Sequence, residues 1–232
     1  MFYVNSVPYV VNNKLHLPIF VIDKELYFPP PHLAEPDGLL AIGGDLSTER
    51  LLLAYRNGIF PWYEGEHILW WSPDPRFVLF PEELKVSRTI KRLQKKHAFE
   101  FTVNKSFAEV IRHCRKITRP GQEGTWITEE MEKAFNRMHE LGYAHSAEVW
   151  MDNELVGGLY GIRLGNVFFG ESMFSRLSNA SRYAFVHYVQ LLQSEGVRLV
   201  DCQVHTEYLE SMGARMIGGK DFLKLLDELI EK

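Results

Sequence analysis

The stretch from His145 to Glu171, HSAEVWMDNELVGGLYGIRLGNVFFGE, reads as three successive strands. Their limits are about His145–Met151, Glu154–Arg163 and Asn166–Glu171. Asp152-Asn153 and Leu164-Gly165 separate them, and both pairs carry turn chemistry. A helix follows from Asn179 to about Glu195, stopped by Gly196, and then an apolar strand at Arg198–Val204. A short helix ending at Gly213, a strand near Ala214–Ile217 and a terminal helix from Lys220 complete the C-terminal half. Upstream, Ser87–His97 reads as a helix. Ser106 and Glu109 form a capping box ahead of the stripe Phe107, Val110, Ile111 and Cys114. Thr128 caps another helix, whose Met131, Ala134, Phe135, Met138 and Leu141 keep helical spacing up to Gly142. From Arg76 onward the pattern is therefore α+β.

Ahead of Arg76 the chain is rich in Pro and Gly and holds one clear helix. Ser47 caps it, Leu51, Leu52 and Tyr55 face inward, and Gly58 ends it. Pro29-Pro30-Pro31 predicts a stiff extended entry. The expected organisation is a small α/β N-terminal domain over 1–75 and a larger domain over 76–232. Hydrophobic residues make up 46% of the 232 and charged ones 24%, which excludes a disordered chain and fits a soluble globular protein. No apolar run approaches a membrane span and the N-terminus has no secretory pattern, so no membrane role is expected. Two cysteines, Cys114 and Cys202, make no disulfide framework, which points to a reducing cytoplasm. No Cys/His cluster has zinc-ligand spacing, so no metal is expected.

Four groups could carry chemistry. Asp201 and Gln203 share one face of a strand apolar enough to be central, where a polar pair needs a reason. Glu171 follows Gly170 at the end of the third meander strand; it could grip a cationic substrate end or pair with Arg176. Arg88, Lys91, Arg92, Lys95 and Lys96 cover one arc of a helix that carries no acid. In a chain of net charge −4, that is the footprint of a phosphate backbone more than of a solvated face, which normally mixes signs. The aromatics Tyr55, Trp62, Trp70, Trp71 and Trp126 could stack on a base or line an apolar slot, although the core must claim some of them. Trp70-Trp71-Ser72-Pro73-Asp74-Pro75-Arg76 in particular sets two rings and a cation in a proline-stiffened turn.

Several motifs in fixed order carry a resemblance. They are Gly58-Ile59-Phe60-Pro61-Trp62, the Trp70–Arg76 segment, Glu123-Gly124-Thr125-Trp126-Ile127-Thr128, Gly170-Glu171-Ser172-Met173-Phe174-Ser175-Arg176 and Leu199-Val200-Asp201-Cys202-Gln203-Val204. From about Glu35 to about Gly213 the chain resembles the bacterial leucyl/phenylalanyl-tRNA–protein transferases. The resemblance implies an enzyme that moves Leu or Phe, with Met a further candidate, from charged tRNA to a protein's N-terminal Arg or Lys, marking it for N-degron degradation. It implies no cofactor and a monomer. By position, Asp201 and Gln203 match the family's catalytic carboxylate and amide, and Glu171 an acid near the acceptor peptide. Tyr55, Trp62 and Trp126 match residues around the aminoacyl-adenosine. Leu159, Phe168, Phe185 and Tyr188 match the hydrophobic slot. Phe135 stands where a tyrosine is expected, and Tyr188 makes the slot more polar than a phenylalanine would.

The element order also resembles the GNAT acyltransferase fold. At the glycine turn with which such enzymes hold CoA, this chain reads Ser175-Arg176-Leu177-Ser178-Asn179-Ala180, with no glycine. An acyl donor other than CoA follows. A CoA-dependent N-acyltransferase and a non-catalytic RNA-binding protein are the alternatives.

Overall fold

A computed structural model describes residues 19–116 and 127–230. In chain order the elements are β1 Phe20–Ile22, β2 Leu39–Gly43, α1 Thr48–Arg56, β3 Phe60–Pro61, β4 Leu69–Trp71, β5 Arg76–Leu79, α2 Arg88–Lys95, β6 Glu100–Val103, α3 Phe107–Lys116, α4 Glu129–Glu140, β7 Ala144–Met151, β8 Glu154–Leu164, β9 Val167–Ser175, α5 Ala180–Ser194, β10 Leu199–Gln203, α6 Glu207–Glu210, β11 Arg215–Ile217 and α7 Gly219–Leu229. The expected α+β pattern is present, with β9 ending four residues beyond the Glu171 that the sequence implied. The short strands β5 and β6, which the sequence analysis did not identify, join the large sheet.

Two sheets form. The first has the order β1-β2-β4-β3; the second has seven strands ordered β11-β5-β10-β9-β8-β7-β6. The large sheet separates two apolar layers. Phe168, Val200 and Leu159 pack under α5 with Tyr183, Phe185 and Val189. Tyr160, Phe169 and Leu199 face the other way, into a core shared with α3, α4, α7, α1 and the first sheet. This alternation along β8, β9 and β10 is the period-2 pattern of strands covered on both sides.

Local chemistry explains the helix starts. Ser47, Ser87 and Thr128 each accept a hydrogen bond from an N–H three residues on. The capping box at Ser106 does not form. The Ser106 N–H donates instead to Glu148 Oε1, and Glu109 pairs with Arg112. Glu148 is fully buried and also accepts from Ser146 and Thr102, so one strand carboxylate ties α3 and the edge strand β6 to the meander. Pro30 is extended as expected, but Pro31 opens a single 3-10 turn over Pro31–Leu33.

The Trp70–Arg76 corner belongs mostly to the core. Trp70 is fully buried and donates to the Gly43 carbonyl, and Arg76 is 1% exposed. The ligand-stacking reading of this corner therefore fails for Trp70 and Arg76: their faces are covered by protein.

A candidate active site where two parallel strands part

β9 and β10 run parallel and pair at Leu199–Val167, Val200–Phe168 and Asp201–Phe169. Beyond that point β9 continues for six residues bonded to β8, and β10 has no further partner on that side. The strands are forced apart by two irregularities. On β9, Ser172 pairs with Tyr160 and Gly170 with Gly161, leaving Glu171 as the extra residue of a bulge. On β10, Asp201 pairs with Val78 and Gln203 with Phe77, leaving Cys202 extra, with Gln203 at φ +63°. Each bulge re-aims a polar side chain into the gap.

The gap is a cavity of about 310 Å³. Leu159, Phe168, Phe185 and Val200 give it an apolar wall; Glu171, Asp201 and Gln203 border it on the other side. Tyr188 is 3% exposed and stacks edge-on behind Phe168, so it supports the wall without lining it.

The polar side is one chain of hydrogen bonds. Arg76 donates to both Asp201 oxygens, Nε to Oδ1 at 2.8 Å and Nη2 to Oδ2 at 2.7 Å. The guanidinium lies between the rings of Phe60 and Phe222, 4.7 Å from each. Asp201 Oδ1 also accepts the Gln203 N–H at 2.9 Å. Gln203 Nε2 and Tyr55 Oη both donate to Glu171 Oε1 at 2.8 Å. Glu171 Oε2 has no partner among the described residues. Glu171 and Arg176 form no ion pair, so that alternative for Glu171 is gone. Burial pushes the Glu171 carboxyl up to about 8; nearby Asp201 adds to this, and Tyr55, Gln203 and Arg76 oppose it.

The raised value has a stability consequence. The folded state holds this proton more tightly than the unfolded chain. The associated stability is complete below about 4.5 and is lost as pH rises through about 8. Thermal melts of Glu171→Gln should accordingly fall less between pH 5 and 8 than those of the parent.

The other expected site residues lie elsewhere. Tyr55 is wholly buried beneath Glu171 and reaches the cavity only through it. Trp62 is 37% exposed on the first sheet and packs against Trp71, outside the cavity wall. Trp126 lies outside the described residues. Arg88, Lys91, Arg92, Lys95 and Lys96 are all exposed, and α2 buries only Ile90. Sequence reasoning missed Arg76 as the partner of Asp201, 125 residues away; the lone cation after Pro75 was the available signal.

The cavity thus sets an apolar wall opposite a carboxylate and an amide that hydrogen bonds hold in place. A family model described as leucyl/phenylalanyl-tRNA protein transferase matches residues 78–227, and the model of that family's N-terminal domain matches residues 44–74. The chain is 58% identical over 215 residues to a leucyl/phenylalanyl-tRNA–protein transferase of Syntrophobacter fumaroxidans, covering 92% of each. It is 53% identical over 209 residues to the one of Flavobacterium johnsoniae, covering 90% of this chain and 99% of the relative. The chain belongs to the leucyl/phenylalanyl-tRNA–protein transferase family. Likeness to solved structures is distant. L-PGS from Bacillus licheniformis gives a TM-score of 0.40 at 13% identity, over 74% of this chain and 57% of that one. A GCN5-related N-acetyltransferase from Kribbella flavida gives 0.33 at 11%, over 72% and 60%.

Proposed function

We propose that this protein transfers Leu or Phe from charged tRNA to the α-amino group of a protein beginning with Arg or Lys, marking it for N-degron degradation. The observation that carries this reading is the cavity at the parting of β9 and β10. Its apolar wall of Leu159, Phe168 and Phe185 suits the side chain of a large apolar amino acid. Its polar side carries Asp201, Gln203 and Glu171, groups suited to orient an ester carbonyl and an incoming amine. The ester is already reactive, and an α-amino group of pKa near 7.7–8.0 is partly neutral at pH 7. Alignment and electrostatic stabilisation then supply most of the rate. Trp62 and Trp126 serve the aminoacyl-adenosine end, Glu171 stands at the acceptor's first residue, and Tyr55 acts only from behind Glu171, through its hydrogen bond to Oε1. Residues 1–75 act as a small domain beside the catalytic 76–232. The protein works in the cytoplasm as a monomer; among the described residues no helix is long and apolar enough to cross a membrane.

The CoA reading is disfavoured by the start of α5. The Ser181 N–H donates to Ser175 Oγ at 3.2 Å and the Ala180 N–H to the Leu177 carbonyl at 3.1 Å. Amides that would hold a pyrophosphate are thus occupied. Incubation with Leu-tRNA and peptides beginning with Arg, Lys or Ala tests the reading. Mass spectrometry should show one added leucine on the first two only.

The four cations of α2 and Lys96 at its C-terminal cap supply the tRNA contact. None has an ion pair among the described residues, and Gln94 anchors the helix to Gln190 of α5. Reversing charge at Lys91 and Arg92 should lower the log–log salt slope of tRNA binding by roughly 0.7–0.9 for each phosphate that is no longer neutralised. An unchanged slope measured by filter binding would make α2 a solvated face.

A further inference from the structure

The cavity opens beside the segment that follows β10. Val204 and Thr206, both exposed, and the half-buried Tyr208 and Leu209 form its lip. Arg182, in the first turn of α5, lays its guanidinium on the Tyr208 ring, 4.6 Å from the centroid. Its Nη2 donates to Ser211 Oγ at 3.4 Å, and Ser181 Oγ lies 3.4 Å from Tyr208 Oη.

Arg182 differs from the other described arginines. Arg50, Arg76, Arg115 and Arg163 are also withdrawn from solvent, and each pairs with a carboxylate. Arg182 is half-buried and pairs with none among the described residues. Its Nε is closed off without a hydrogen bond, whereas Nη1 donates none and stays open to solvent. A cation desolvated in this way gains from an anion that completes it.

The surroundings say which anion. α2 lies along α5. Gln94 bonds to Gln190 at one end, and at the other the Lys85 N–H donates to the Met212 carbonyl, one residue beyond Ser211. Arg182 and Gln190 are separated by about 12 Å of helix. That length spans roughly three phosphates of one strand, spaced about 3.4 Å along its axis. The cations of α2 and Arg182 therefore make one basic line that ends at the cavity's lip.

We propose that Arg182, braced on Tyr208, binds the phosphodiester that joins the aminoacyl-adenosine to the rest of the donor tRNA. This rests on the transfer reading above. A planar guanidinium pinned against a ring loses little freedom when it takes up a phosphate. It gives the donor a fixed point one linkage from the ester, between the helix that holds the tRNA and the cavity that holds its amino acid.

The test compares leucyl-adenosine with the same ester carrying a 5′ methyl phosphodiester, each with an N-terminal-Arg peptide. The parent should use the phosphodiester donor about 10–100-fold more efficiently in kcat/KM, with the gain in KM. Arg182→Gln should lose most of that preference and far less of its rate with the nucleoside donor. Arg182→Lys keeps the charge and should show an intermediate preference, which covers the case in which the glutamine variant does not fold. Equal use of both donors by the parent would overturn the proposal and leave the transfer reading standing. So would an unchanged preference in both variants. Loss of both donors alike in both variants would reduce Arg182 to a support for Tyr208. Competition by coenzyme A as strong as by the phosphodiester donor would give the site to the phosphates of CoA instead. A parent that makes no product from Leu-tRNA would overturn the transfer reading, and this proposal with it.

Discussion

Asp201→Asn should remove about 3–5 kcal/mol of stability and most of the transfer rate. The cost follows from what the carboxylate neutralises. Arg76 is 1% exposed and lies between two phenyl rings, so without Asp201 its charge stays buried and uncompensated. In a protein of this size such a loss lowers Tm by about 10 °C. The rate falls for a separate reason. Asp201 Oδ1 holds the Gln203 N–H in the positive-φ conformation that points the amide at Glu171. A 1 Å misplacement of such a group costs on the order of 10²-fold. The double variant Arg76→Met/Asp201→Leu separates the two effects. It should regain much of the stability, because an apolar pair of similar volume is often neutral, and it should stay inactive. Thermal melts beside single-turnover rates give both readings.

Gly161→Ala should be nearly as damaging although it adds one methyl group. The new Cβ would lie 2.1 Å from the Phe169 carbonyl oxygen and 2.5 Å from Phe168 Cζ. Backbone cannot yield as a flexible side chain can, so β8 and β9 must separate where the bulge sets Glu171. Overpacking of this kind costs about 1–3 kcal/mol or more. Phe168 also belongs to the apolar wall, so transfer should fall by on the order of 10²-fold. Gly170→Ala is the control. Its Cβ would meet only the Asp201 carbonyl, at 3.5 Å, which is ordinary contact. Equal melts and rates for the two variants would show that the bulge does not set the site.

Much of this fold is legible from the chain, because most of its signals are local. Ser47, Ser87 and Thr128 cap where their side chains predict; the first meander turn falls at Asp152-Asn153 as expected, and the second one residue later than expected, at Gly165-Asn166. Asp201, Gln203 and Glu171 could be singled out because polar groups on apolar strands demand partners. What those partners are could not be read. The Arg76–Asp201 pair and the Tyr55–Glu171 bond span 125 and 116 residues, and no local periodicity encodes them. The face argument for Asp201 and Gln203 assumed unbroken alternation, and the bulge at Cys202 breaks it. The same blindness to distance explains Ser106. A capping box was available in sequence, but Glu148, 42 residues on, supplies the oxygen instead.

The central claim is that transfer happens in the gap between β9 and β10. Filling that gap tests it most directly. Leu159→Trp places an indole in the cavity from β8, away from the cations of α2. Single-turnover transfer of leucine from Leu-tRNA to an N-terminal-Arg peptide should proceed with the parent and vanish with the variant, while both bind tRNA with the same salt dependence. Transfer by the folded variant at the parent's rate would place the chemistry elsewhere.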